Sequence, residues 1–180
     1  ENEEHVIYLS LEQSKFELVA KSLSRYTAGI DIDSASTSKM IRSGYTNKTL
    51  DQAKSKYQLI ADKINIIDGA FNVSIDVIRD TIEQSIIDFG RLPVVIIDYL
   101  QIVQPAEGKY FSADKNKIDD IVRVLKQIQT KYGLLMFIIS SFNRANYMTP
   151  VDFESYKESG GIEYTADVLW GLQLNILHED

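Results

Sequence analysis

Cysteine is absent, so neither a disulfide framework nor a thiolate metal site is open to this chain. Histidine is almost absent: only His5 and His178, at opposite ends of the sequence, carry imidazole nitrogen, which leaves no ligand cluster for zinc. There is no Pro-rich linker, low-complexity tract or internal repeat to mark a domain boundary. No apolar run approaches the roughly 20 residues that span a bilayer, and nothing resembles a signal peptide, so the expectation is a soluble, cytoplasmic chain with no membrane partner. Positive charge is in short supply, with 19 basic against 26 acidic residues and a net charge of −7. That balance excludes a broad basic face, and any contact with nucleic acid has to be local.

What is present is apolar content of 44% in 180 residues, enough to bury the core of one α/β domain over 1–180 but too little to divide into two. Short apolar strands are predicted at 5–10, 64–67, 93–97, 134–140 and 168–176, with helical stretches between them, an alternation that favours a parallel sheet. Val94 to Ile97 and Leu135 to Ile139 lack polar alternation, as buried central strands do.

Helix 11–26 carries Leu11, Lys15, Leu18, Val19, Ser22 and Leu23 near one face. Helix 72–89 carries Val73, Val77, Ile78, Ile82, Ile86 and Phe89 at spacings of three and four, with Ser74 as its cap. Helix 118–132 repeats the pattern and meets its stop at Gly133. The polar stretches 105–116 and 145–161 read as exposed loops after strand ends, where function tends to reside. Tyr8, Phe137 and Trp170 lie within or beside strand patterns and read as core.

The chemistry begins with Val94 to Gln101, in which four apolar residues deliver Asp98 to the carboxyl end of a buried strand. A carboxylate there can hold the water shell of Mg²⁺ bridging nucleotide phosphates, although acids at such strand ends also cap turns. Ser10-Leu11-Glu12 sets a second carboxylate after the first strand, at the same sheet edge if the two strands are parallel. One acid would organise the metal while the other orients or deprotonates the attacking water; on spacing alone, an ordinary helix-start glutamate favoured by the helix dipole is the stronger reading.

Further segments follow in a fixed order. They are Ile-Arg-Ser-Gly at 41–44, Ile-Asp-Tyr-Leu-Gln at 97–101, Asp-Ile-Val-Arg-Val-Leu-Lys at 120–126, Ser-Ser-Phe-Asn-Arg at 140–144, and Lys-Glu-Ser-Gly-Gly-Ile-Glu-Tyr-Thr-Ala-Asp at 157–167. With Ser-Leu-Glu at 10–12, this series resembles the C-terminal motor domain of DnaB-type replicative DNA helicases over nearly the whole chain. The resemblance implies a RecA-like P-loop NTPase core, α/β with a mostly parallel sheet flanked by helices and incomplete at both ends. It also implies a parent that uses ATP and Mg²⁺ to translocate on single-stranded DNA and unwind duplex, as a homo-hexamer with a primase or helicase loader as partner.

Carried over residue by residue, Glu12 matches the catalytic glutamate and Asp98 the Walker B aspartate, which holds Mg²⁺ through water. Ser140 to Arg144 matches a segment usually written Ser-Gln-Leu-Asn-Arg, whose glutamine senses the nucleotide's terminal phosphate. Here that position is Ser141, too short for the same contact, beside Asn143 and Arg144. Lys157, Glu158 and Gly160 match the loop that touches the backbone of single-stranded DNA in the channel of a ring. Repeating so small a loop around a ring reconciles DNA binding with a negative subunit.

One motif is missing: no Gly-x-x-x-x-Gly-Lys-Ser/Thr occurs in these residues. The resemblance therefore implies a motor fragment, inactive alone, whose phosphate loop precedes Glu1 and whose arginine finger follows Asp180. The alternative is a catalytically degenerate RecA-fold module serving as a loader, adaptor or ring-assembly partner.

Overall fold

The computed structural model describes residues 4–69, 72–142, 152, 155–156 and 160–173. Strands β1 (Val6–Ser10), β2 (Ile64–Asp68), β3 (Val94–Asp98) and β4 (Leu135–Ile138) form a sheet of order β2-β1-β3-β4, every neighbouring pair parallel. The helices are α1 (Lys15–Ile30), α2 (Ser38–Arg42), α3 (Lys48–Ala61), α4 (Ile75–Phe89), α5 (Asp114–Tyr132) and the short α6 (Gly160–Thr165).

The pleat sorts the strand residues. Ile7 and Leu9 of β1 and Val95 and Ile97 of β3 are fully buried in one core with Ile78 and Ile82 of α4 and Ile121 and Leu125 of α5. Tyr8 points to the opposite face, where α1 and α3 border a cleft of about 530 Å³ lined by Tyr8, Tyr26, Tyr57, Ile64 and Ile66. Helix ends follow the expected chemistry: the Ser74 hydroxyl accepts from the Val77 amide, and Gly133 closes α5 at φ 68°, a conformation in which a Cβ is strained.

Several expectations need correction. Helix α1 starts at Lys15, not at residue 11, because Leu11 is buried beneath a turn and Ser14 forms a capping box with Glu17. Helices α2 and α3 were not foreseen; each is short of apolar periodicity but opens on a side-chain cap, Thr37 or Asn47. Helix α5 begins at Asp114, four residues earlier than the apolar pattern. In the loop expected at 145–161, Tyr156 bridges Phe142, residues 160–161 are helical, and most of the remainder lies outside the described residues.

The expected strand at 168–176 has no strand structure over 168–173, and 174–176 lie outside the described residues. Trp170 is exposed rather than core, with no strand partner among the described residues. Among the described residues strand β4 is likewise no central strand: there it pairs only with β3, and Leu135, Phe137, Ile138 and Ile139 are exposed on it or just after it. An apolar edge strand with exposed side chains of this kind favours further pairing. The 180-residue chain by itself is therefore expected to self-associate, and Ile138→Lys to shift it towards monomer in sedimentation velocity; a monodisperse unaltered chain would contradict this.

At the start of β1, His5 is buried with its ring stacked on Phe89 at 3.9 Å, and among the described residues its Nε2 has no hydrogen-bond partner. Burial, and secondarily the charge of Arg91, holds its pKa below the ordinary value of 6.5. The unfolded chain thus takes up a proton near pH 6.5 that the folded chain resists, so this contribution to stability is complete above that pH and lost as pH falls below it. The melting temperature should decline from pH 7 to pH 5, before the carboxylates titrate, and His5→Phe should flatten that decline.

Candidate active site

Strands β1 and β3 lie side by side in the register Tyr8↔Ile96 and Ser10↔Asp98, so two segments distant in sequence end at the same sheet edge. β2 adds Asp68 opposite Ser10 from the other side. Adjacent strands lie about 4.8 Å apart, which brings the turn after Ser10 alongside Asp98. The Leu11 amide donates to the Asp98 carbonyl at 2.8 Å, continuing the pairing one residue past β1. Leu11 itself is buried and anchors the turn, and the Ser10 hydroxyl donates to the Gln13 carbonyl across it. Glu12, between these two fixed points, is exposed. The far side of the turn is pinned as well, because Asp68 accepts from the Lys15 amide at 2.7 Å where α1 begins.

The Asp98 carboxylate has its own support. The Tyr8 hydroxyl donates to its Oδ2 at 2.8 Å. Burial, then the hydrogen bond and charge of Asp98, pushes the Tyr8 pKa up to about 12, so the phenol remains a donor throughout the physiological range. Tyr8 was expected as core; alternation along β1 already sets it on the same face as Ser10, a signal that could have drawn attention to it.

After β3 the chain makes a single 3-10 turn, Leu100–Ile102, whose Leu100 and Ile102 are buried. Gln101 points instead to the segment leaving β4, donating through Nε2 to Ser140 Oγ at 2.8 Å and accepting through Oε1 from the Ser141 amide at 3.3 Å. Ser141 thus lies at the same sheet edge as Asp98. Gly160 is the first residue of α6, which packs on α5 with Lys126 paired to Asp167 at 3.0 Å. Asn143, Arg144, Lys157 and Glu158 lie outside the described residues.

A parallel sheet flanked by helices, with acids from separate segments at the carboxyl ends of its strands, has the form of a RecA-like ATPase fold. The solved structures bear this out. The chain superposes on a DnaB-like replicative helicase, described together with its interactions with primase, at a TM-score of 0.75 and 25% identity, covering 92% of this chain and 39% of that one. It superposes on a second solved ATPase domain at a TM-score of 0.74 and 24% identity, covering 92% of this chain and 58% of that one.

The chain belongs to the family of DnaB-like helicase C-terminal domains, whose model it matches over residues 1–175. It is also 27% identical over 171 residues to a probable replicative DNA helicase of Trieres chinensis, covering 91% of this chain and 35% of that protein. The chain therefore spans about a third of the curated relative's length. Among the described residues, no helix is long and apolar enough to cross a membrane.

Proposed function

We propose that these residues are the nucleotide-hydrolysing part of a replicative DNA helicase motor, which couples ATP hydrolysis to movement along single-stranded DNA and thereby to duplex unwinding. The observation that carries this reading is the Ser10↔Asp98 register, which supports a shared site for Glu12 and Asp98. Asp98 would hold magnesium through water, with one of its carboxylate oxygens fixed by the Tyr8 hydroxyl. Magnesium, when bound, offsets the negative charge of the phosphates. A lone carboxylate at a strand end is an oxygen donor of the kind that ion takes, since magnesium keeps several of its own waters. Glu12, exposed on its pinned turn, takes the proton of the attacking water.

Asn143 and Arg144 then report the state of the nucleotide beside Ser141, whose side chain is too short for the glutamine's contact, and Lys157, Glu158 and Gly160 meet the DNA backbone. The working assembly is a homo-hexameric ring. Primase is a partner to test because the solved DnaB-like helicase interacts with one, and a helicase loader is a second. These 180 residues form a partial RecA-like domain and supply no Gly-x-x-x-x-Gly-Lys-Ser/Thr, so by themselves they hydrolyse no ATP.

The test is ATP turnover by the intact polypeptide, with and without single-stranded DNA, beside Asp98→Asn. The expected result is DNA-stimulated turnover that the substitution abolishes. No turnover in the unaltered protein, or turnover indifferent to Asp98, would replace this reading with a degenerate RecA-fold module acting as a loader, adaptor or ring-assembly partner.

A further inference from the structure

The turn that follows Asp98 is joined to β4 more firmly than strand pairing requires. The Ile139 amide donates to the Ile97 carbonyl at 3.0 Å and the Leu100 amide to the Ile139 carbonyl at 2.9 Å, so backbone bonds bracket Asp98 on both sides. Gln101 adds two more with one planar group, reaching Ser140 Oγ and the Ser141 amide. The orientation of that group is dictated chemically: turned over, it would set its NH₂ against the Ser141 N–H, donor against donor. With Leu100, Ile102 and Val103 all buried, the turn cannot shift independently of the core beneath it.

The segment so held leads onward. Phe142 forms an antiparallel bridge with Tyr156, their rings edge to face with centroids 5.5 Å apart. Tyr156 immediately precedes Lys157 in the sequence. A continuous path thus runs along the chain from Asp98 to Gln101, by hydrogen bond to Ser141, on to Phe142, and across to Tyr156.

We propose that Gln101 is a positioning residue that couples nucleotide binding at the strand end carrying Asp98 to affinity for DNA, by clamping Ser140 and Ser141 so that this strand end and the segment leaving β4 move together. The inference rests on the reading of Asp98 as the nucleotide-site acid and of 157–160 as the DNA contact. The side chain at 141 is a serine, and this chain enlists the Ser141 backbone amide, held by a side chain from the neighbouring strand end. A physical connection of this kind is a candidate route for coupling, and coupling itself is measured as a ratio of affinities.

The measurement is the affinity of the intact polypeptide for a fluorescent oligothymidylate, with and without a non-hydrolysable ATP analogue and magnesium. The unaltered protein should show a ratio on the order of 5–150-fold. Gln101→Leu, which removes both contacts, should bring that ratio to within about 2-fold of unity, with nucleotide-free affinity unchanged. Gln101→Glu should restore it, since a carboxylate accepts from the Ser141 amide and from the Ser140 hydroxyl turned to donate. Hydrogen exchange at the Ser141 amide, read without nucleotide, should quicken severalfold in the leucine variant and recover in the glutamate variant.

A leucine variant that keeps the full ratio, or a Ser141 amide equally protected in all three proteins, overturns the role of Gln101 while leaving the helicase reading intact. An unaltered protein whose DNA affinity ignores nucleotide overturns both.

Discussion

Glu12→Gln should lower the DNA-stimulated ATP turnover of the intact polypeptide by about 10²–10⁴-fold, the span typical for loss of a positioned general base. The substitution keeps the shape of the side chain and removes its capacity to take a proton. Glu12 is exposed on a turn held by Leu11, by the Ser10 hydroxyl and by the Asp98 carbonyl, none of which the change touches. Stability should therefore move by no more than about 0.5 kcal/mol. Affinity for magnesium nucleotide, followed by anisotropy of a fluorescent analogue, should also hold, because the lost interaction belongs to the transition state. Asp98→Asn should differ in kind by weakening magnesium-dependent nucleotide binding itself. Turnover in Glu12→Gln within a few-fold of the unaltered protein would remove Glu12 from the chemistry.

The second large effect concerns stability. Ile97 is fully buried in the middle of the core, one residue before Asp98. Ile97→Ala should cost about 2–5 kcal/mol, combining lost transfer free energy with the cavity left between β3 and the α4–α5 layer. Against a typical total of about 5–15 kcal/mol, that is a large share, and the urea midpoint should fall accordingly. Ile97→Val, which deletes one methylene, should cost only about 0.5–1.5 kcal/mol. An alanine variant that unfolds at the unaltered midpoint would mean that β3 is not the centre of this core.

The elements that could be read from the sequence are those whose pattern is self-contained. Helices α4 and α5 announce themselves through isoleucines at spacings of three and four, with Ser74 at one end and Gly133 at the other. The run before Asp98 could only be a buried strand. Helix α3 escaped because just Thr49, Leu50 and Ala53 of it are buried, too few for a stripe. The start of α1 was misread because Leu11 serves the core from a turn; the better signal was Ser14 with Glu17 three residues on.

For the site, residue type and strand-end position pointed to Glu12 and Asp98. That their segments end at one sheet edge depended on β1 and β3 being neighbours, a matter of strand order that no local pattern encodes. The contacts that Tyr8 and Gln101 make, as distinct from the face on which Tyr8 lies, were out of reach for the same reason. Each depends on register between segments, the first pair meeting across 90 positions of sequence and the second across 39.

That separation governs when the site comes into existence. The Tyr8–Asp98 contact closes a loop that takes in α1 to α4, and the entropy of such closure has to be overcome before the contact returns anything. A chain still emerging from the ribosome carries Glu12 but no site until β3 is synthesised, bringing Asp98 with it, and slots in beside β1. Afterwards, any opening that parts those two strands erases the site at once, so catalytic competence should track the population of closed sheet and vanish with it in a single step.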